Sequence, residues 1–188
     1  MRPLFDASRD PIPDGALVTA ARSGQAWAQE ALFKRYAPVA LGQAWRLIPT
    51  EDPEDVAQEA LIRALTRLDR LDAPQAFAAW LGTIVVRLAM SRLRKRRMLQ
   101  RLGLRSETQP VDVESFIAGS ASADTRSELR EVYHWLESFP AEERVALILQ
   151  RVEGLELTEI AERMDRSVAT VKRRLSAASA RLEEKRHG

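Results

Sequence analysis

Apolar residues recur every three to four positions along most of this 188-residue chain. That spacing places them on one face of an α-helix, and β-branched residues rarely alternate with polar ones as they would in a strand. The pattern breaks where proline, glycine or polar turn residues occur, at residues 49–53, 73–74, 139–140, 153–154 and 165–167. It therefore predicts an all-α protein made of two small helical domains joined by a linker.

The same pattern divides the chain into four segments. Residues 1–13 contain three prolines and no periodicity, which predicts a flexible leader. Residues 14–98 and 125–188 are helical in pattern and form the two predicted domains. Residues 99–124 lose the pattern and are predicted to be a linker. Four apolar residues in this linker are candidates for docking on a domain: Val111, Val113, Phe116 and Ile117.

Composition excludes several classes of function. The chain has no cysteine, which rules out disulfides, cysteine nucleophiles and cysteine-bound metals, and two histidines argue against a histidine metal cluster. A net charge of +2 excludes a simple polycationic binder. No catalytic triad or nucleotide-binding glycine loop is visible, so we expect no enzymatic activity and no cofactor. No apolar run approaches the roughly 20 residues of a membrane span, and we expect a cytoplasmic protein.

The C-terminal segment has the pattern of a helix-turn-helix. Apolar residues at 157, 160, 161 and 164 share one face of a first helix, and Ser167 is a good N-cap for a second helix over 168–182. Small residues on the outward face of this second helix let its backbone approach the floor of a DNA groove, while long basic side chains reach bases and phosphates. The predicted DNA contacts are Ser167, Ala169, Thr170, Lys172, Arg173, Arg174 and Ser176. The alternative interpretation is a surface helix with ordinary basic residues.

The segment from 77 to 97 is apolar on two helical faces, with a polar stripe between them. This basic stripe consists of Arg87, Ser91 and Arg94, and the helix continues into Lys95, Arg96 and Arg97. A helix buried on two sides with one basic stripe exposed suits contact with a phosphate backbone. A core helix with a solvated basic end is the alternative, since cations are favourable near any helix C-terminus.

The preceding helix, over residues 53–68, has an outward face of a different kind. That face, called here the α3 face, carries Asp55, Gln58, Glu59 and Ile62. An isoleucine exposed among carboxylates suggests a protein-binding surface.

These motifs together resemble the extracytoplasmic-function (group IV) sigma factors of RNA polymerase. In the first domain the resemblance rests on the runs Glu54–Leu61 and Leu93–Arg97 and on Phe77-x-x-Trp80-Leu81-x-x-Ile84 between them. In the second it rests on Phe139-Pro140, Val145–Leu147, Gly154-Leu155, Glu159–Ala161 and Ser167–Lys172. The two motif sets occur in the family's order, over residues 14–98 and 125–186.

The resemblance implies a set of partners and roles. The helix matching 54–68 would dock through the α3 face on the β′ clamp helices of core RNA polymerase. The β flap is a second implied contact on the polymerase. The loop from Leu68 to Phe77, including Leu71, would capture a base flipped from the −10 promoter element. The helix over 80–97 would contact the −10 strand, and the helix beginning near Ser167 would read the −35 element. Promoter DNA and an anti-sigma factor are the other implied partners.

Some residues depart from the family's pattern. Arg87 and Ser91 stand where asparagine and aspartate are common, and Leu71 replaces a frequent aromatic residue. In the second domain the departures are Ala169, Arg173 and Ser176. The promoter sequence therefore does not follow from the family's usual consensus.

Two other functions remain open from the sequence. A stand-alone helix-turn-helix regulator would explain the C-terminal domain but would leave the α3 face and the base-capture loop without a role. A helical protein–protein adaptor would leave both basic patches merely solvated. Promoter-dependent transcription with core polymerase separates all three.

Overall fold

The computed structural model describes residues 12–49, 52–104, 131–132, 135–136 and 138–187, with side chains up to residue 184. Within these ranges the regular structure is helical, without a strand, and the all-α prediction is confirmed. The main helices are α1 (Asp14–Arg22), α2 (Ala26–Leu47), α3 (Pro53–Thr66), α4 (Phe77–Arg101), α5 (Ala141–Arg151), α6 (Leu157–Met164) and α7 (Val168–His187). Two short 3-10 turns, Leu68–Arg70 and Pro74–Ala76, connect α3 to α4.

Helix ends fall at the breaks seen in the sequence. Helix α3 begins at Pro53, where the missing N–H costs nothing, and Glu54 and Asp55 in its first turn favour the positive end of the helix dipole. Helix α6 begins with a capping box in which Glu156 and Glu159 each satisfy the other's backbone N–H. The N-cap position of this helix belongs to Glu156.

Helices α1 to α4 form the N-terminal half around one apolar core. Phe77 is fully buried at its centre, and its ring meets the edge of Tyr36 with centroids 5.0 Å apart. The carboxylate of Asp14 accepts hydrogen bonds from Arg35, at 2.5 Å, and from the Tyr36 hydroxyl. Burial and then this hydrogen bond raise the pKa of Tyr36, so the hydroxyl keeps its proton and remains a donor at neutral pH.

Helices α5 to α7 form the C-terminal half, whose buried apolar residues continue the core of the N-terminal half. Val145, Ile160, Val171 and Leu175 are buried there, and Ile160 lies on the face that the periodicity predicted. Helix α7 runs five residues past its predicted end at 182, to His187.

The two halves touch each other through α2 and α4 on one side and α5 and α6 on the other. Arg46 donates from Nε and Nη2 to Oε1 of Glu153, at 2.9 and 2.5 Å. The guanidinium of Arg163 lies over Gly82, where a Cβ would come within 2.6 Å of Nη1. A glycine in α4 thus permits the close approach of α6.

Residues 74–101 are long and apolar enough, by length and composition, to cross a membrane. Half of the most apolar window is buried inside the protein, which is equally typical of the core helix of a soluble domain. The sequence analysis expected no apolar run of this length, and the structure corrects that expectation for residues 74–101. The burial of α4, and not its length or composition, is what relates it to a core helix.

The predicted linker lies largely outside the described residues, as do all four of its apolar docking candidates. Helix α4 extends to Arg101, three residues beyond the expected end of the first domain at residue 98. The proposed domain division stays a prediction.

Candidate polymerase and nucleic-acid interfaces

The α3 face is exposed to solvent at most of its positions. Ile62 is 52% exposed, Asp55 and Gln58 are also exposed, and Glu59 is half-buried. The core side of the same helix, with Val56, is completely buried. The amphipathic pattern thus placed all four residues on the outward side.

Two carboxylates of the α3 face already have an intramolecular partner. Nη2 of Arg92, on α4, donates to Asp55 and, at 3.2 Å, to Glu59. Arg63 also donates to Glu59, at 2.5 Å. Burial by itself would lower the pKa of Arg92, but these carboxylates outweigh it and raise the pKa, which keeps the guanidinium ionised. Gln58 and Ile62 are therefore the members of the face whose side chains are most available to a partner.

The basic stripe on α4 is exposed along its length. Arg87, Ser91 and Arg94 face solvent, as do Lys95 and Arg97 beyond them, while Arg96 is half-buried. At the near end, Nη2 of Arg87 donates to the backbone oxygen of Glu162 in α6, at 3.3 Å. Helix α6 therefore lies against one end of the stripe.

A cleft of about 470 Å³ lies beside this contact. It is formed by the 70–73 loop, the Trp80 side of α4, and α6 with Glu159 and Glu162. Leu71, expected to meet a flipped base, borders the cleft but is only 5% exposed and packs in the core. Its backbone oxygen accepts a hydrogen bond from Arg22, which fixes the loop. The loop residues with exposed side chains here are Arg70 and Asp72.

Helix α7 presents the outward face expected of a recognition helix. Ser167 caps it, since its Oγ accepts the N–H of Thr170 at 3.2 Å. The hydroxyls of these two residues are also 2.9 Å apart, which makes Thr170 less available than an outward position suggested. Lys172 and Arg173 are exposed and, in the described part of the chain, tied to no other side chain. Ala169 and Ser176 are also exposed.

Arg174 has a different environment from its two basic neighbours. Its Nε and Nη2 donate to Oε2 of Glu142, at 3.1 and 3.0 Å, and it is half-buried. Arg174 is one of the DNA contacts predicted from the sequence. The structure shows that its guanidinium is already engaged by a carboxylate of α5.

Sequence reasoning did not find Arg92, Glu142 or the Arg46–Glu153 pair. Their partners lie 24 to 107 residues away along the chain, so no helical or turn spacing signals them. Only the packing of separate helices brings these charges together. Among the described residues, no cluster of three or more His, Asp or Glu side chains is placed to hold a metal ion.

Comparison with known proteins agrees with this geometry. The family model for sigma-70 region 2 matches residues 32–98, and the model for sigma-70 region 4 matches residues 129–182. The ECF RNA polymerase sigma-E factor of Escherichia coli (strain K12) is 31% identical over 186 residues, covering 93% of this chain and 94% of that protein. The corresponding factor of Haemophilus influenzae is 30% identical over 186 residues, with 93% and 95% covered.

Two solved structures share the fold across most of the chain. CnrH in complex with the cytosolic domain of CnrY has a TM-score of 0.60 and 28% identity, covering 95% of this chain and 96% of that one. The sigma factor RpoE of Bartonella quintana, in complex with the anti-sigma factor NepR, has a TM-score of 0.60 and 25% identity, with 82% and 94% covered. The chain therefore belongs to the extracytoplasmic-function family of RNA polymerase sigma factors.

Proposed function

We propose that this sigma factor binds core RNA polymerase through the α3 face and reads two promoter elements through α4 and α7. The observation that carries the proposal is the exposed pair Lys172 and Arg173 on α7, in a chain that also exposes Ile62 among carboxylates on α3. A regulator that binds DNA alone needs only the first of these surfaces. The two together fit a protein that brings polymerase to DNA.

The α3 face has the composition of a protein interface. Ile62 supplies an exposed apolar anchor, and the exposed side-chain amide of Gln58 supplies a hydrogen-bonding group. Many interfaces combine such groups at their centre. Asp55 and Glu59 add negative charge around it, although Arg92 partly neutralises both. We propose the β′ clamp helices as the partner of this face and the β flap as the partner of the C-terminal half.

The basic stripe and the neighbouring cleft suit the −10 element. Arg87, Arg94 and the basic end of α4 supply sequence-independent attraction to phosphates. The cleft beside Trp80 offers a space in which an extruded base meets an aromatic ring, and such contacts must offset an unstacking cost of a few kcal/mol. Because α6 forms one wall of this cleft, separation of the two halves would widen it.

Helix α7 is suited to the −35 element. Arg173 points away from the core near the start of the helix, where recognition helices meet base edges, and a bidentate arginine–guanine contact is worth about 1–3 kcal/mol of discrimination. Lys172 beside it is placed to meet a phosphate.

The proposal includes a mode of action and a location. The chain works by differential binding rather than catalysis, in the cytoplasm, where the polymerase and the promoter are. Since one structural relative was solved with the cytosolic domain of CnrY and the other with the anti-sigma factor NepR, we also propose an anti-sigma factor as a regulator.

Transcription with purified core polymerase tests the proposal. The templates are a pool of linear duplexes with a random 60-base-pair upstream region, and the transcripts are sequenced. We expect start sites that appear only when the chain is added and that share two sequence motifs upstream. A chain that binds duplexes without core polymerase, and adds no start sites to it, is a stand-alone regulator, and the proposal is then wrong. A chain that does neither is an adaptor.

A further inference from the structure

One carboxylate in the C-terminal half holds two separate parts of the helix-turn-helix. Oε1 of Glu142, in the first turn of α5, accepts a hydrogen bond from Nη2 of Arg166 at 2.9 Å. Oε2 of the same carboxylate pairs with the guanidinium of Arg174 at 3.0 Å. Arg166 lies in the turn between α6 and α7, and Arg174 lies in the second turn of α7. Each oxygen of the carboxylate therefore accepts hydrogen bonds from a different element, the turn or α7.

A second pair continues the attachment along α7. Nε of Arg181 donates to Oε2 of Glu143 at 3.1 Å, and the Glu143 side chain is only 7% exposed. Arg174 and Arg181 are seven residues apart, about 10 Å along the helix axis. Two points of attachment at that distance fix both the tilt and the rotation of α7 on α5.

The turn that Arg166 braces is conformationally demanding. Asp165 has a left-handed backbone with φ of 54°, which a residue other than glycine adopts only at a cost. Arg166 closes the turn from the other side, because its Nη1 donates to the Asp165 oxygen at 2.8 Å while Nη2 is held by Glu142. The angle between α6 and α7 thus depends on the same carboxylate.

We infer that Glu142 is a positioning residue for −35 recognition: it fixes α7 so that Arg173 faces the DNA, and it withholds Arg174 from the phosphates. The inference rests on the proposed function of α7. It assigns different roles to three consecutive basic residues, since Lys172 contacts a phosphate, Arg173 reads a base and Arg174 serves as a brace.

The charge state of the carboxylate agrees with this role. Burial alone would raise the pKa of Glu142, but the two arginines together outweigh burial and lower it. The carboxylate is therefore ionised at neutral pH, as both ion pairs require.

The test uses holoenzyme made from core polymerase and full-length variants. A duplex library randomised over the −35 positions gives the base preference, and binding to one scrambled duplex at several KCl concentrations gives the salt slope. Because every variant shares the same core polymerase, differences between variants report on α7. Glu142→Gln should reduce the strongest base preference about tenfold or more. It should also make the salt slope steeper by about one for each arginine that then reaches a phosphate.

A weaker base preference together with a steeper salt slope indicates that α7 is no longer held in position. Simple unfolding would weaken both the preference and the salt dependence. The matched control is Glu184→Gln, which removes the same charge from an exposed position on α7 and should leave the base preference unchanged. A Glu142→Gln profile equal to wild type, with the wild-type slope, would overturn the inference. A wild-type holoenzyme without any −35 preference would instead refute the proposed function of α7.

A second pair of variants decides the matter if Glu142→Gln fails to fold. Lys172→Ala should lower the salt slope by about one and keep the base preference. Arg174→Ala should flatten the preference and leave the slope at its wild-type value. If Arg174→Ala behaves like Lys172→Ala, Arg174 is a phosphate contact and Glu142 does not withhold it.

Discussion

The two halves of the molecule hold their functional helices in place by different means. In the N-terminal half, α4 is fixed by apolar packing around fully buried residues such as Phe77 and Val85. In the C-terminal half, α7 is held both by buried residues such as Val171 and Leu175 and by ion pairs with Glu142 and Glu143 of α5. The first arrangement resists changes of pH and salt, whereas the second depends in part on charge.

The same comparison separates outward-facing charges from available ones. On the α3 face, Asp55 and Glu59 point outward but are shared with Arg92. On α7, Arg174 lies on the flank of the outward face but is held by Glu142. In both halves the groups left for a partner are fewer than an amphipathic pattern indicates.

The largest effect is expected from the core of the N-terminal half. Phe77→Ala removes a fully buried ring that packs on Tyr36, and such truncations cost about 3–5 kcal/mol. Denaturant unfolding measures the loss. The control is Phe33→Ala, at a ring 41% exposed, where we expect a change below about 0.5 kcal/mol. Equal losses in the two variants would contradict an apolar core centred on Phe77.

The next effect concerns core polymerase. Ile62→Ala removes the exposed apolar group of the α3 face without breaking an ion pair, and truncation of an interface anchor costs about 2 kcal/mol, roughly thirtyfold in affinity. Competition for core polymerase against labelled wild-type protein measures it. Phe33→Ala again serves as the control. A variant that competes as well as wild type would remove Ile62 from the interface.

Charge reversal at Asp55 and Glu59 is a less direct probe of the same interface. Both substitutions would also place a positive charge against Arg92, so we expect a loss of stability in addition to weaker polymerase binding. Unfolding measured beside the competition assay separates the two contributions. Unchanged stability would show that the Arg92 contacts contribute little in solution, as is common for exposed pairs.

A smaller change is expected at the contact between the halves. Arg46→Glu places a second carboxylate against Glu153, so the halves should separate and the radius of gyration should increase in small-angle X-ray scattering. Adding Glu153→Arg restores an ion pair of reversed polarity and should return the radius towards the wild-type value. If the single variant scatters like wild type, this pair does not hold the halves together.

The smallest effect is the pH dependence of the C-terminal half. Because the pKa of Glu142 is lowered in the folded state from its ordinary 4.5, its contribution to stability is present above that pH. The contribution is lost as the pH falls through the folded-state pKa. Wild type should therefore be more stable than Glu142→Gln at pH 7, and the two should converge towards pH 3. Denaturant midpoints at pH 7, 5, 4 and 3 measure this, and a constant difference would contradict it.

Much of the fold followed from local pattern. Proline and glycine marked the end of α2, the start of α3, both ends of α5 and the start of α6. Proline has no N–H to continue the helical hydrogen bonding, and glycine favours turns. The exposed positions of the α3 face and of Lys172 and Arg173 followed from the 3.6-residue period. Leu71 shows the limit of this reasoning, since its place in the family's base-capture loop suggested an exposed side chain and the structure buries it.

The sequence by itself determined the helical class, most helix boundaries, the family and the outward faces, because each of these depends on residues close together in the chain. Only the tertiary structure decided which outward charges are already paired. The partners of Arg92, Glu142 and Arg46 come from distant helices, and no periodicity encodes a contact across 24, 37 or 107 residues. Ion pairs form wherever packing happens to bring opposite charges within hydrogen-bonding distance, so their location is a property of the assembled helices.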